Sequence, residues 1–210
     1  MQDMPLAALT ATLLCYWIGV GVMIVRVRRA LRRKRGSDGE QRFERFNLNW
    51  IVWVALVAAW IGIPWATLAH SAKVAELPAF ATSEPAYRAL RWIAALVAVA
   101  ALAATIRCWK RMGSDWRMDV GVATRAPLIT DGFFAYLRHP IYAFSILLML
   151  CSVAIVPTPP MLAVAAIHFA MMNAKARSEE RHLLAVHGDA YARYLRTSGR
   201  FLPRRRPPQG

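Results

Sequence analysis

Apolar residues in this chain come in blocks: Leu6 to Val25, Trp50 to Leu68, Leu90 to Ile106, Ile141 to Val156, and Met161 to Met172. A run of about twenty apolar residues matches the roughly 30 Å hydrocarbon core at about 1.5 Å per helical residue. The pattern therefore predicts membrane-spanning helices. The last two blocks are short and are separated by Pro157-Thr158-Pro159-Pro160. Proline lacks an amide hydrogen and clashes with the preceding turn, so no helix continues through this stretch. A connection this short forces an antiparallel hairpin, which borrows length from its flanks or reaches the far interface only at its tip. Tyr142 and Met172 then return to similar depth. The expected fold is all-α, an integral membrane protein with five transmembrane helices. Residues 1–106 hold three of them with a polybasic cytoplasmic loop, and residues 107–210 hold a hairpin at about 141–172 with a cytoplasmic C-terminal segment.

Within the blocks, Ala94, Ala95, Ala98, Ala101 and their neighbours make the third one a close-packing element for the middle of the bundle. Trp50, Trp53, Trp60 and Trp65 suit the two interfaces of the second, and Pro64 falls near its end. Ala69 to Arg88 reads as a plain external connection. The mixed segment Arg107 to Ile129, broken by Gly113 and Gly121, reads as a re-entrant or interfacial piece. From Ile167 to His187 neither proline nor glycine intervenes, so one helix leaves the membrane there. Asn173, Arg177, Glu180, Leu184 and His187 share one stripe of it, with Met172, Glu179, Leu183 and Val186 on the next. Adjacent glutamates point about 100° apart.

Charge fixes the expected orientation. A net charge of +15 in a soluble chain would point to nucleic acid. Here 24 of the 27 Lys and Arg residues lie in Arg26 to Arg45, in Arg107 to Arg138, or after Met172. By the positive-inside rule these segments are cytoplasmic, the N-terminus outside and the C-terminus inside. The Arg26 to Arg35 cluster reads as a stop-transfer and an anchor for anionic lipids, as does Arg204-Arg205-Arg206. No aromatic residues interleave the first cluster for base stacking, so no nucleic-acid partner is expected. The N-terminus lacks the positive charge that opens a secretory signal, and the first block reads as a retained span. Cys15, Cys108 and Cys151 have no metal-ligand spacing and read as buried thiols.

Polar chemistry collects at the cytoplasmic edge. Arg138-His139-Pro140-Ile141-Tyr142 puts a cation, an imidazole and a phenol just before the fourth block, with proline at the helix start. Asn173 to His182, containing Glu179-Glu180, follows the fifth block and returns to the same side. Ionisable groups at such a boundary either anchor a helix or build a site. Glu179 and His182 have the spacing of di-metal bundle ligands, but no second such pair exists and no metal is expected. His168, inside an apolar block, reads as a hydrogen-bonded packing residue. Tyr191 and Tyr194 read as residues that dock the tail.

Four pieces in this order and spacing resemble the C-terminal half of the isoprenylcysteine carboxyl methyltransferase family. They are Arg138-His139-Pro140-Ile141-Tyr142, Glu179-Glu180 with Leu183, the stretch Gly188 to Tyr194, and Arg200-Phe201-Leu202-Pro203. The arginine-histidine-proline pattern followed by paired glutamates is shared with membrane phospholipid N-methyltransferases. Gly113-Ser114-Asp115-Trp116-Arg117 is similar to the family's upstream Gly-x-x-Trp-Arg element, so the resemblance covers roughly residues 107–203. It implies methyl transfer from S-adenosylmethionine, taken from the cytoplasm, to a lipophilic acceptor entering sideways from the bilayer. An isoprenylcysteine-like carboxylate, a phospholipid amine and a small thiol all qualify.

Under this resemblance Arg138, His139 and Glu180 are the expected catalytic residues. Gly132, Arg138, His139, Pro140, Tyr142, Glu179, Glu180, Tyr191 and Tyr194 are the expected cofactor-binding ones. Arg138 would pair with the cofactor carboxylate as a bidentate fork. One glutamate would accept from ribose hydroxyls or the ammonium, and His139 and Tyr142 would orient. An ionised carboxylate acceptor needs no base, whereas a thiol or amine must lose a proton to a carboxylate or to His139. Where the family usually reads Gly-Pro-Tyr-Arg before this motif, the chain reads Gly132-Phe133-Phe134-Ala135. The expected location is the cytoplasmic membrane, with the site facing the cytoplasm. Two rival classes remain. A sterol-type reductase using NADPH has a similar C-terminal region on a generally longer chain. A small transporter or structural membrane protein would be expected to show charged or broken mid-membrane helices and internal repeats.

Overall fold

The computed structural model describes residues 3–34, 48–69, 76–113 and 128–204. Seven helices are assigned there: α1 (Met4–Lys34), α2 (Leu48–Leu68), α3 (Ala79–Ser83), α4 (Pro85–Met112), α5 (Pro140–Ile155), α6 (Pro159–His187) and α7 (Asp189–Thr197), with a 3-10 turn at Gly132–Ala135. No strand occurs among the described residues, and the fold is all-α as expected. By length and composition, Met4–Arg29, Trp50–Leu68 and Pro85–Met112 are each able to cross a membrane, and Pro140–Ile155 is a shorter apolar helix. Residues 35–47 of the polybasic loop, residues 114–127 of the mixed segment, Arg205 and Arg206 lie outside the described residues. So does all of the Gly-x-x-Trp-Arg element after Gly113.

The large buried apolar side chains of α1 are Leu6, Leu9, Leu13, Tyr16, Val20, Met23 and Val27, at alternating intervals of three and four. This is a heptad seam, the spacing that keeps one face of a helix turned toward its partners. It meets the buried alanines of α4, Ala94, Ala95, Ala98 and Ala101, and the Leu148, Met149, Cys151 and Ile155 face of α5. Small side chains bring backbones close, as the alanine-rich block led us to expect. The approach is closest at Gly19, where a Cβ would sit 2.5 Å from the Trp109 ring. The seam also corrects the reading of Cys15. It is exposed, because its neighbours Leu13 and Tyr16 occupy the inward positions.

Two boundaries differ from expectation. The hairpin connection is shorter than four residues, because Pro159 and Pro160 begin α6: the first turn needs no intrahelical amide donors and accepts proline. The connection ahead of α4 is not plain loop. It contains α3, and α4 begins at Pro85, so Arg91 lies inside the helix. Arg91 is buried and fully engaged. Its Nε donates to Ile155 O (3.1 Å), Nη1 to Ala81 O (3.3 Å) and Nη2 to Asp3 Oδ2 (2.5 Å). Asp3 Oδ1 in turn accepts from Leu6 N, closing the first turn of α1.

In the bundle interior Trp60 donates from Nε1 to Ser152 Oγ at 2.9 Å. His168 lies 4.8 Å from the Trp60 ring and 3.1 Å from Ser145 Oγ, the packing role its position implies. α6 is unbroken from the hairpin to His187 and carries Glu179 and Glu180 beyond the apolar run, as expected.

Candidate active site

Three segments converge on one end of the bundle. The approach to α5 comes first. Gly132 opens the 3-10 turn at φ +56°, a left-handed conformation that favours glycine. Its place in the site is thus a backbone requirement. The chain then runs through Arg138 to His139, the N-cap of α5, with Pro140 at the first helical position. The second segment is the C-terminal half of α6. The third is the return that follows it: Gly188, at φ +51°, ends α6 and starts α7. α7 buries Tyr191 and Tyr194, and Tyr194 Oη donates to Phe134 O (2.6 Å) and Leu137 O (3.3 Å). Tyr194 is a docking residue.

After α7 the backbone is pinned alongside the arginine-histidine-proline motif. Arg138 N donates to Gly199 O (2.8 Å), His139 N to Arg200 O (3.3 Å), and Gly199 N and Arg204 N both donate to Tyr136 O (3.0 and 3.3 Å). Gly199 has no room for a side chain, since a Cβ would lie 1.8 Å from Leu202 O. This clasp brings Arg200 to the site.

Glu180 is the hub. Its Oε1 accepts from Arg138 Nε (2.9 Å) and Arg200 Nε (3.1 Å), and its Oε2 from Arg200 Nη2 (2.5 Å). Arg200 Nη1 bonds Asn173 Oδ1 at 3.1 Å, which fixes the fork. Arg138 Nη1 donates to the carbonyls of Leu195 (3.2 Å) and Ser198. Burial pushes the Glu180 carboxyl up, but His139, Arg200 and Arg138 together outweigh it and hold the group well below the usual carboxylate range.

His139 lies between the two glutamates. Its Nδ1 is 3.4 Å from Glu179 Oε2 and its Nε2 is 3.4 Å from Glu180 Oε1. The second contact is ionic without hydrogen-bond alignment, and Nε2 is buried with no hydrogen-bond partner. Burial works against the imidazolium, yet the two carboxylates prevail and raise its pKa above the usual 6.5. Tyr142 stacks on the imidazole at 5.4 Å and donates from Oη to Glu179 Oε1. Adjacent glutamates on one helix thus serve opposite sides of one ring, Glu179 with the phenol and Glu180 with the arginines. Phe201 closes on His139 at 6.3 Å.

Of the residues expected at the site, Arg138, His139, Tyr142, Glu179 and Glu180 come into direct contact here. Pro140 and Gly132 shape the backbone, and Tyr194 docks α7. Tyr191 is buried with its hydroxyl unpartnered; burial chiefly raises its pKa, the Glu180 charge adding to it. Sequence reasoning did not single out Arg200, Asn173 or Gly199 for the site. Their signals were the final Arg-Phe-Leu-Pro piece and, for Asn173, a stripe shared with Glu180. Beside the cluster opens a cleft of about 510 Å³ lined by Arg177, Glu180, Arg181, Leu184, Leu195 and Arg200. Its size falls in the usual range of small-molecule sites. Guanidinium groups, a carboxylate and two leucines together suit a ligand with charged groups and a flat apolar part. Among the described residues no group of three His, Cys, Asp or Glu has the arrangement to hold a metal ion.

Comparison with known proteins agrees with this geometry. One solved structure similar to the chain is that of the eukaryotic intramembrane Ras methyltransferase ICMT (isoprenylcysteine carboxyl methyltransferase) without a monobody. The TM-score is 0.53 at 21% sequence identity, over 76% of this chain and 54% of that one. The chain therefore spans about half the length of that structure, and the likeness is one of fold. No curated protein matches the chain. The sequence pattern itself is matched by the model of the isoprenylcysteine carboxyl methyltransferase family, over residues 92–185. That match runs from α4 through the glutamate pair, so this segment of the chain is similar to the isoprenylcysteine carboxyl methyltransferase family.

Proposed function

We propose that the chain is an integral membrane methyltransferase that draws on S-adenosylmethionine from the cytoplasm and methylates a lipophilic acceptor reaching the site from the bilayer. The observation that carries this reading is the family segment's own polar cluster, His139 held between Glu179 and Glu180 and tied by Arg138 and Arg200, beside a ligand-sized cleft. The five-span arrangement with a cytoplasmic C-terminus is part of the proposal. It is supported by the basic segments that follow α1, α4 and the apolar part of α6. The hairpin of α5 with the start of α6 supplies the last two crossings.

The cofactor supplies a methyl group on a sulfonium, and the protein's contribution is positioning and charge. The cleft fits such a group by size and by its mixed lining. Arg138 and Arg200 fix Glu180 in place and keep it ionised. Gly132 and Pro140 set the backbone that presents His139. Tyr142 orients Glu179, and Tyr191 and Tyr194 hold α7 against the cluster. His139 faces a carboxylate at each ring nitrogen, and both favour its charged form, so it is not the general base. For an acceptor that must lose a proton, Glu179 is the remaining carboxylate, since Glu180 is spent on cations. For a carboxylate acceptor no base is needed. Anionic lipids at the cytoplasmic surface are the expected surroundings.

Calorimetric titration of the detergent-purified chain with S-adenosylhomocysteine tests the reading. Binding with a Kd on the order of micromolar is expected. A folded protein, lipid restored, that takes up no ligand overturns it.

A further inference from the structure

The arginines around the cleft fall into two kinds. Arg138 and Arg200 are committed: Arg138 Nε and Nη1 and all three Arg200 nitrogens go to Glu180, to Asn173 and to the carbonyls of Leu195 and Ser198. Arg138 is also enclosed, with its side chain 11% exposed. Neither has a free fork to offer a ligand. Arg177 and Arg181 are the opposite case. Both are exposed, both line the cleft, and among the described residues neither is hydrogen-bonded or ion-paired.

Exposed arginines on a cytoplasmic helix are ordinarily solvated surface charge. Three observations separate these two from that background. They stand four residues apart on α6, about 6 Å along the axis, where like charges repel. They flank Glu180, whose charge is already matched by the Arg138 and Arg200 guanidinium groups, so it does not offset them. They also sit at a concave wall, with Leu184 and Leu195 beneath, which bulk solvent screens less than a convex surface.

A pair of unpaired guanidinium groups over an apolar floor takes a planar anion. We infer that Arg177 and Arg181 form a two-pronged clamp for the carboxylate of the methyl donor's amino-acid part, leaving Leu184 and Leu195 to the apolar ring system. This rests on the reading of the cleft as the cofactor site. It also moves the carboxylate partner away from Arg138, whose Nε and Nη1 are bonded inside the protein and leave no two-nitrogen fork. Arg138 becomes a positioning residue that acts through Glu180.

The test uses the full chain in a neutral detergent and two ligands that differ only at the inferred contact: S-adenosylhomocysteine and its decarboxylated analogue. Charge-assisted hydrogen bonds of this kind change affinity by roughly 10- to 100-fold. Wild type is expected to prefer the carboxylated ligand by that factor. Arg177→Gln and Arg181→Gln are expected to lose most of the preference while binding the decarboxylated analogue as wild type does. Arg177→Lys keeps the charge without the fork and is expected to fall between. Arg196→Gln, an exposed arginine of α7 outside the cleft, serves as control and is expected to change neither affinity. All these side chains are exposed, so folding is not at stake. Variants that weaken both ligands equally, as a general field or a lipid headgroup on the arginines would produce, overturn the clamp, as do variants that weaken neither. In those cases the cofactor reading stands, because wild type still binds. Wild type that binds no S-adenosylhomocysteine overturns both.

Discussion

Each end of this bundle encloses an arginine, and the two ends treat it in opposite ways. At one end Arg91 gives its donors to two carbonyls and to Asp3, whose other oxygen caps α1. One cation meets one carboxylate, each guanidinium nitrogen has an acceptor, and the result ties α1, α3, α4 and α5 together. At the other end Glu180 faces Arg138, Arg200 and His139 at once, His139 Nε2 lacks a hydrogen bond, and two more arginines line the adjoining cleft. Cations exceed carboxylates there. A closed ion pair completes a fold, whereas surplus charge and an orphaned buried donor beside a cleft are what a ligand completes.

The sharpest way to break the comparison is at Glu180. Glu180→Ala leaves Arg138 and His139 enclosed with no carboxylate on that side. Removing one partner of a buried pair costs about 3–5 kcal/mol. A large drop in thermal midpoint in detergent is expected, with cofactor binding lost as well. An unchanged midpoint would mean that the hub is held by something other than charge. Arg91→Met makes the opposite cut. Asp3 is partly exposed and tolerates loss of its partner better, so the expected cost is about 2 kcal/mol, mainly from the abandoned carbonyls of Ile155 and Ala81. The affinity of the folded protein for S-adenosylhomocysteine should not move. If it fell with stability, the two ends would be coupled and the contrast between them would fail.

How far each end was legible in sequence follows the same contrast. His139, Glu179 and Glu180 could be brought together because the proline-rich hairpin fixes the register of α5 against α6, and local rules read prolines well. The convergence of two arginines on one carboxylate could not be read. It depends on the Gly188 reversal and on the backbone clasp at Gly199, which joins Leu137 to a residue 62 positions away without any side-chain signature. Arg91 fell within the third apolar block, and its role could not be read there, because its partners, Asp3, Ala81 and Ile155, lie on three other segments of the chain. The heptad on α1 was readable in principle from its spacing of three and four, and it would have turned Cys15 outward. Block hydropathy hides such a seam, since both faces of a membrane helix are apolar.

The smallest effect separates the ends by pH. The His139 pKa is raised in the folded protein, so its contribution to stability is complete below about 6.5, the value for the unfolded chain, and fades as pH climbs through the higher folded value. Glu180 works in the other direction, but its folded pKa lies far below 4.5, so its contribution stays constant throughout the neutral range. Between pH 6 and pH 9 the wild type is therefore expected to lose some thermal stability, by less than Glu180→Ala costs. His139→Gln should lack this component of the loss, because only the imidazole titrates against the glutamates in that window. Among the described residues no histidine bonds to the Asp3 and Arg91 pair, and Arg91→Met should lower the midpoint equally at both pH values. A wild type and a His139→Gln variant with parallel profiles would show that the imidazole is not held charged between Glu179 and Glu180. Its assignment as a fixed cation, and with it the exclusion of His139 as general base, would then fall.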